Sequence, residues 1–188
     1  MPAPVHHRKS IRLKDYDYSL PGGYFVTINT IERGNFLGEV VQESMKLNNY
    51  GTIVQETWND LIHHVKNIEL DLVDNLMHTK CATIIGLRLP NHVHGIIIIL
   101  DSTVGAGSEP ALTKQHVGLG EMVRQFKTFS ARRINECRSV KHVSVWQRNY
   151  YEHIIRNDKE LDNIRKYIYY NPSQWKADED EQPPSCYS

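Results

Sequence analysis

Pro90-Asn91-His92-Val93-His94-Gly95-Ile96-Ile97-Ile98-Ile99-Leu100 is the stretch on which the reading of this chain turns. Four consecutive β-branched isoleucines favour a buried central strand over a helix. In a strand, residues i and i+2 share a face, so His92 and His94 project side by side from a rigid backbone. That is one way to offer two imidazoles to a single metal ion or phosphate. A bare His-x-His is short, and two strand-edge histidines with ordinary hydrogen bonds explain it as well. The decision rests on what the rest of the chain brings to the pair.

The 188 residues, 40% hydrophobic and 23% charged, suffice for one globular domain with a full core. No apolar run reaches the length of a membrane span, and the start, with His6, His7, Arg8 and Lys9, lacks the apolar core of a secretory signal. Cys81, Cys137 and Cys186 are odd in number and far apart, which fits neither a disulfide framework nor a zinc pattern. A cytoplasmic location without membrane attachment is the expectation. Net charge is zero, but Asp178, Glu179, Asp180 and Glu181 sit together near the C-terminus. Without them the remainder holds 22 bases against 18 acids, a net of +4. Residues 176–188 are thus expected to be a solvated acidic tail, and residues 1–20 a basic arm carrying Arg8, Lys9, Arg12 and two tyrosines. That arm suits gripping a nucleic-acid backbone; a frayed terminus is the plain alternative.

Between these ends, Tyr24 to Asn29 has strand propensity, and Phe36 to Val41 is expected as its hairpin partner across Arg33-Gly34-Asn35. Val54, Trp58, Leu61, Ile62 and Val65 define one helical stripe, with His63 and His64 as surface residues at its end. Residues 68–77 and 81–89 suggest two further strands, and 101–118 a glycine-bearing loop. A second helix follows, with Leu119, Met122, Val123, Phe126 and Phe129 on its apolar stripe and Arg124, Lys127, Arg132 and Arg133 on its other faces. Such a basic face suits phosphate contacts, or is simply solvated. Residues 145–156 are extended and end in a strand. Asn157 and Glu160 form a capping-box pattern for a third helix, which Pro172 is expected to stop. The order implies an α+β fold with an antiparallel sheet and helices packed on one face.

The third helix supplies partners for the histidines. Leu161, Ile164 and Ile168 make its buried stripe, Tyr167 lies at the margin, and Asn171 follows Tyr167 by one turn. A tyrosine and an amide at that margin can face a neighbouring strand's histidines. A phenol with its pKa near 10 attacks a phosphodiester only when a cation neutralises the developing charge. His92, His94 and Asn171 provide two nitrogens and an amide oxygen, a set that suits Mg²⁺ or Mn²⁺ when phosphate oxygens complete the shell.

These residues resemble a known family. Leu89-Pro90-Asn91-His92-Val93-His94-Gly95 is similar to the histidine-hydrophobe-histidine motif of the HUH single-strand nucleases. Trp146-Gln147-Arg148, then Glu152 to Asn157, then Tyr167 to Pro172 resemble the C-terminal signature of single-tyrosine transposases, in the branch associated with bacterial repetitive extragenic palindromes. The resemblance spans roughly residues 10 to 175. It implies a ferredoxin-like core in residues 21–175 and a nucleophilic Tyr167, with His92, His94 and Asn171 as metal ligands. The implied activity is cutting and rejoining hairpin-bearing single-stranded DNA through a 5′-phosphotyrosine link, in the bacterial cytoplasm at the nucleoid. Arg8, Lys9, Arg12, Arg124, Lys127, Arg132, Arg133, Arg148, Trp146 and Tyr150 are the candidate DNA contacts, by charge and base stacking. A monomer and a homodimer both fit. One departure from the family pattern is the segment 74–89, where Met77-His78-Thr79-Lys80-Cys81 is inserted. The alternative functions are a hairpin-binding protein without turnover and a phosphohydrolase that uses water in place of tyrosine.

Overall fold

Two eight-residue strands, β1 (Gly22–Asn29) and β5 (His92–Ile99), form the middle of the molecule in a computed structural model that describes residues 12–13, 15–64, 68–70, 89–100 and 117–174. The other elements are β2 (Gly38–Val41), β3 (Ser44–Leu47), α1 (Asn49–His64), β4 (Ile68–Leu70), α2 (Leu119–Cys137), β6 (Tyr151–Ile155) and α3 (Asp158–Gln174). The main sheet is antiparallel with strand order β4-β5-β1-β6, and β2 and β3 form a separate two-stranded sheet. Mixed α+β architecture with an antiparallel sheet is as expected from the sequence.

Strand alternation sorts the core into two halves. Tyr24, Val26 and Ile28 of β1 join Val93, Ile97 and Ile99 of β5 on one face, under Val54, Trp58 and Leu61 of α1 and Met122, Val123 and Phe126 of α2. Phe25 and Ile96 point to the opposite face and meet Ile164 and Ile168 of α3. Helices therefore cover both faces, which corrects the expectation of one. The reason is the unbroken run Ile96 to Ile99, which presents apolar side chains on both sides and requires cover on both.

Several local expectations change with it. Phe36 to Val41 does not pair with Tyr24 to Asn29, because β5 and β6 occupy both edges of β1. Gly38–Val41 instead pairs with Ser44–Leu47 through a turn in which Gln42 and Glu43 take positive φ, 49° and 61°. Ile62 and Phe129, expected in the apolar stripes, are 45% and 41% exposed. On α2 the buried row runs through Phe126, Ser130 and Ile134, which leaves Phe129 at its edge. Pro172 does not end α3, which continues to Gln174. So near the helix end, proline's missing N–H removes only a last-turn bond. Asn157 Oδ1 caps α3 by accepting from Glu160 N at 2.9 Å. Glu160 accepts from Arg156 N at 2.7 Å, one residue beyond the expected partner, Asn157 N. The remaining parts of the 68–77 strand, the 81–89 strand before Leu89, the 77–81 insertion, Val65, Arg8, Lys9 and the tail 176–188 lie outside the described residues.

Candidate metal and nucleophile site

β5 places His92 and His94 on the α3 face, as i and i+2 require. His94 is 3% exposed and stacks on Phe25 with ring centroids 5.3 Å apart. Its Nδ1 lies 2.9 Å from Thr27 Oγ1, directly across the β1–β5 ladder. The Nδ1 of His92 is 2.7 Å from Asn91 Oδ1. With the amide oxygen of Asn91 facing it, His92 Nδ1 donates and its Nε2 holds a lone pair. The two Nε2 atoms converge to 3.1 Å. Burial lowers the pKa of His92 to about 4. Burial, reinforced by the neighbouring His92, holds His94 well below its ordinary value. Both imidazoles are therefore neutral at pH 7, the form that ligates metals.

α3 brings the other two residues. The Tyr167 ring lies 5.3 Å from the His94 ring at 62° and 6.2 Å from Phe25 at 86°. One turn on, Asn171 Nδ2 stands 3.4 Å from His94 Nε2. A half-turn of the amide puts its oxygen there instead, since the two ends differ only in their hydrogen-bond roles. Thus His92, His94, Tyr167 and Asn171 gather within a single chain. Thr27, which faces the His94 ring, carries no motif in the sequence and is revealed only by the strand register; Asn91 lies inside the histidine motif, but the sequence alone gives it no role.

The donor set fits a divalent cation. The two Nε2 atoms, 3.1 Å apart, stand close enough for one divalent ion to be held by both. A Thr27 hydroxyl that accepts from His94 Nδ1–H frees that Nε2 lone pair, the usual outer-shell arrangement. Among the described residues no group of three or more His, Cys, Asp or Glu side chains forms a metal cluster. The side chains that converge here are two imidazoles and one amide.

The basic candidates are mostly occupied within the protein. Arg124 pairs with Glu121, Arg132 with Glu136, and Arg133 with Glu56 and Asp60 across the α1–α2 pair. Arg12 Nε lies 3.1 Å from the buried carboxylate of Glu152, and its Nη2 donates to Tyr150 Oη at 2.8 Å. Lys127 Nζ donates to the carbonyls of Gln147 and Asn149, both at 2.9 Å. Trp146 is 7% exposed, with Nε1 donating to Ser130 Oγ at 2.9 Å, which leaves its ring no open face for a base. Arg148 is exposed.

No family model matches the chain. An uncharacterised protein of Haemophilus influenzae is 35% identical over 188 residues, covering 94% of this chain and 94% of its own length. A putative REP-associated tyrosine transposase of the same organism is 28% identical over 95 residues, 50% of this chain and 51% of that protein. Among solved structures, a REP-associated tyrosine transposase bound to a REP hairpin aligns with a TM-score of 0.52 at 19% identity, covering 87% of this chain and 73% of that one. At that identity the likeness speaks for the fold. No helix among the described residues is long and apolar enough to cross a membrane.

Proposed function

The chain belongs to the family of the uncharacterised Haemophilus influenzae protein and is a partial homologue of the putative REP-associated tyrosine transposase; on that premise we propose that it is a metal-dependent tyrosine transposase of the HUH type. Its substrate in this reading is hairpin-bearing single-stranded DNA in the bacterial cytoplasm, at the nucleoid. The observation that carries the reading is the meeting of His92, His94, Asn171 and Tyr167 on one face of the sheet. The hairpin in the solved neighbour supports the choice of substrate.

His92 and His94 would hold a divalent cation through Nε2, and Asn171 through its amide oxygen. Two nitrogen donors suit Mn²⁺ better than Mg²⁺, which prefers oxygen. The cation supplies charge neutralisation at the phosphoryl oxygens. Tyr167 attacks phosphorus through its phenolic oxygen. A new oxygen–phosphorus bond forms to the tyrosine, and the bond to the 3′ oxygen breaks. The phenol loses its proton, and the departing oxygen gains one as a free 3′-hydroxyl. Attack by a 3′-hydroxyl on the phosphotyrosine reverses the step, so the phosphoester energy is conserved and no outside energy source is required. Phe25 and His94 pack against the Tyr167 ring and limit its orientations.

The test is incubation of the protein with hairpin-bearing single-stranded DNA and Mn²⁺ or Mg²⁺. A covalent protein–DNA adduct that survives denaturant is expected, and it disappears with Tyr167→Phe or with chelator. Adduct formation by Tyr167→Phe refutes the nucleophile. Salt-sensitive binding without any adduct points to a hairpin-binding protein, and cut DNA ends without attached protein point to a hydrolase.

A further inference from the structure

The line of β6 is broken beside the site. Tyr151 pairs with Thr27, and the next bridge is Trp146 with Thr30. Four residues, Gln147 to Tyr150, therefore stand opposite two, Ile28 and Asn29. Asn29 is the register partner of His92. A bulge of this size ejects chain from the sheet next to the catalytic cluster, a setting in which bulges commonly re-aim side chains.

The ejected segment is pinned from two sides. Gln147 N donates to Asn29 O at 2.9 Å, and Gln147 Nε2 donates to Thr30 O at 3.1 Å. The Lys127 ammonium, on α2, takes the carbonyls of both Gln147 and Asn149. It also lies 5.6 Å from the Tyr150 ring centroid. With the carbonyls on either side of it drawn toward Lys127, Arg148 is the residue at the crest, and its side chain is exposed. The described residues show no acidic side chain paired with it, unlike Arg12, Arg124, Arg132 and Arg133. Ile31, Gln147, Arg148 and Asn149 line an open surface groove of about 550 Å³. Ile31 is 48% exposed and gives that groove an apolar wall. A guanidinium beside an apolar wall and the Asn149 amide matches one nucleotide: phosphate to arginine, base against isoleucine, base edge to the amide.

We propose that this bulge is a nucleotide subsite that holds the single strand flanking the scissile phosphate, with Arg148 as its phosphate contact and Lys127 as a positioning residue. The assignment rests on the transposase reading above. Lys127 then acts on DNA only through the loop it holds, and its ammonium is not itself a phosphate ligand.

The experiment measures binding, without turnover, of two probes to proteins carrying Tyr167→Phe. One probe is a bare DNA hairpin, and the other is the same hairpin with flanks of about six randomised nucleotides. Addition of Arg148→Gln is expected to weaken the flanked probe about 10-fold, lower its salt slope by about one, and leave the bare hairpin unchanged. Lys127→Met is expected to reproduce the flank-specific loss at unchanged Tm of the rest of the fold, and Lys127→Arg to restore part of it. A scan of neutral methylphosphonate linkages should locate one flank phosphate whose neutralisation weakens the parent but not Arg148→Gln. Equal binding of the flanked probe by parent and Arg148→Gln overturns the subsite while the transposase reading stands. Equal loss for both probes assigns Arg148 to the hairpin and also overturns it. If the parent binds neither probe and wild type forms no adduct, the transposase reading falls and the subsite with it.

Discussion

Gly95→Ala tests the register on which the site depends. Gly95 follows His94 and pairs with Val26 in β1. A Cβ built there would lie 2.2 Å from Trp58 Cζ2 and 2.4 Å from Cη2, more than 1 Å inside ordinary contact. Trp58 is fully buried and meets Phe126 edge-on, with centroids 5.2 Å apart, so the indole has little space to retreat. Overpacking of this kind costs about 1–3 kcal/mol, and the rigid neighbours put it at the upper end, about 3. Lower entropy of the unfolded alanine chain returns about 0.4–1 kcal/mol. A net loss of about 2–3 kcal/mol follows. With a urea m-value of about 2 kcal/mol/M, the unfolding midpoint drops by about 1–1.5 M. Circular dichroism against urea reads it. Trp58→Phe removes the atoms in conflict, so the double variant should be more stable than the two single losses added together, by at least about 1 kcal/mol. A single-variant loss under about 0.5 kcal/mol, or additive behaviour of the pair, would refute the packing of Trp58 on Gly95 and the register with it.

Three more perturbations follow from contacts already described. Arg12→Ala leaves the Glu152 carboxylate buried without its cation; Arg12 is half exposed, so the expected loss is about 1–2 kcal/mol by urea unfolding. Burial raises the pKa of Glu152 against the opposing pull of Arg12, so folding favours its protonated form, and the Arg12→Ala penalty should grow from pH 5 to pH 7; a penalty that shrinks over that window contradicts the pairing. Thr27→Val removes the partner of His94 Nδ1 and should weaken Mn²⁺ binding about 10-fold by calorimetry, whereas unchanged affinity would mean that Thr27 does not orient the ring. Finally, burial lowers the pKa of His92 to about 4 and holds that of His94 well below its ordinary value in the folded chain, while both titrate near 6.5 unfolded. The unfolded chain thus binds more protons between those values, so in chelator the stability should fall as pH drops from about 6.5 toward 4, by up to ~1.4 kcal/mol per pH unit per histidine. His92→Gln combined with His94→Gln should flatten that dependence, and an unchanged slope would count against the buried neutral pair.

What the sequence made legible was whatever depends on a single element's periodicity. The shared face of His92 and His94 follows from strand geometry alone, and the Leu161, Ile164 and Ile168 stripe with Tyr167 at its margin follows from helix geometry alone. The β2–β3 hairpin stayed hidden because Gln42 and Glu43 occupy a positive-φ turn that glycine or asparagine ordinarily marks. The fate of the cations was only partly hidden. Glu121 with Arg124 and Arg132 with Glu136 stand at helical spacings that already favour pairing. The partners of Arg12, Lys127 and Arg133 come from other elements, and no periodicity within one segment discloses them.

The site and the second half of the core are one structural problem. Along the α3 face of the sheet the side chains grade from apolar to polar: Phe25 to Thr27 on β1, and Ile98 and Ile96 to His94 and His92 on β5. On α3 the same gradient runs from Leu161 and Ile164 to Tyr167 and Asn171. The apolar ends bury against each other, and the hydrophobic gain there fixes the helix against the strands. The polar ends are then brought together by a helix already held in place, and Ile168 (fully buried between Tyr167 and Asn171) ties the two regions. Burial at this end also removes the imidazole charge that would repel a cation. The packing that docks α3 is therefore what readies both the tyrosine and its proposed metal ligands.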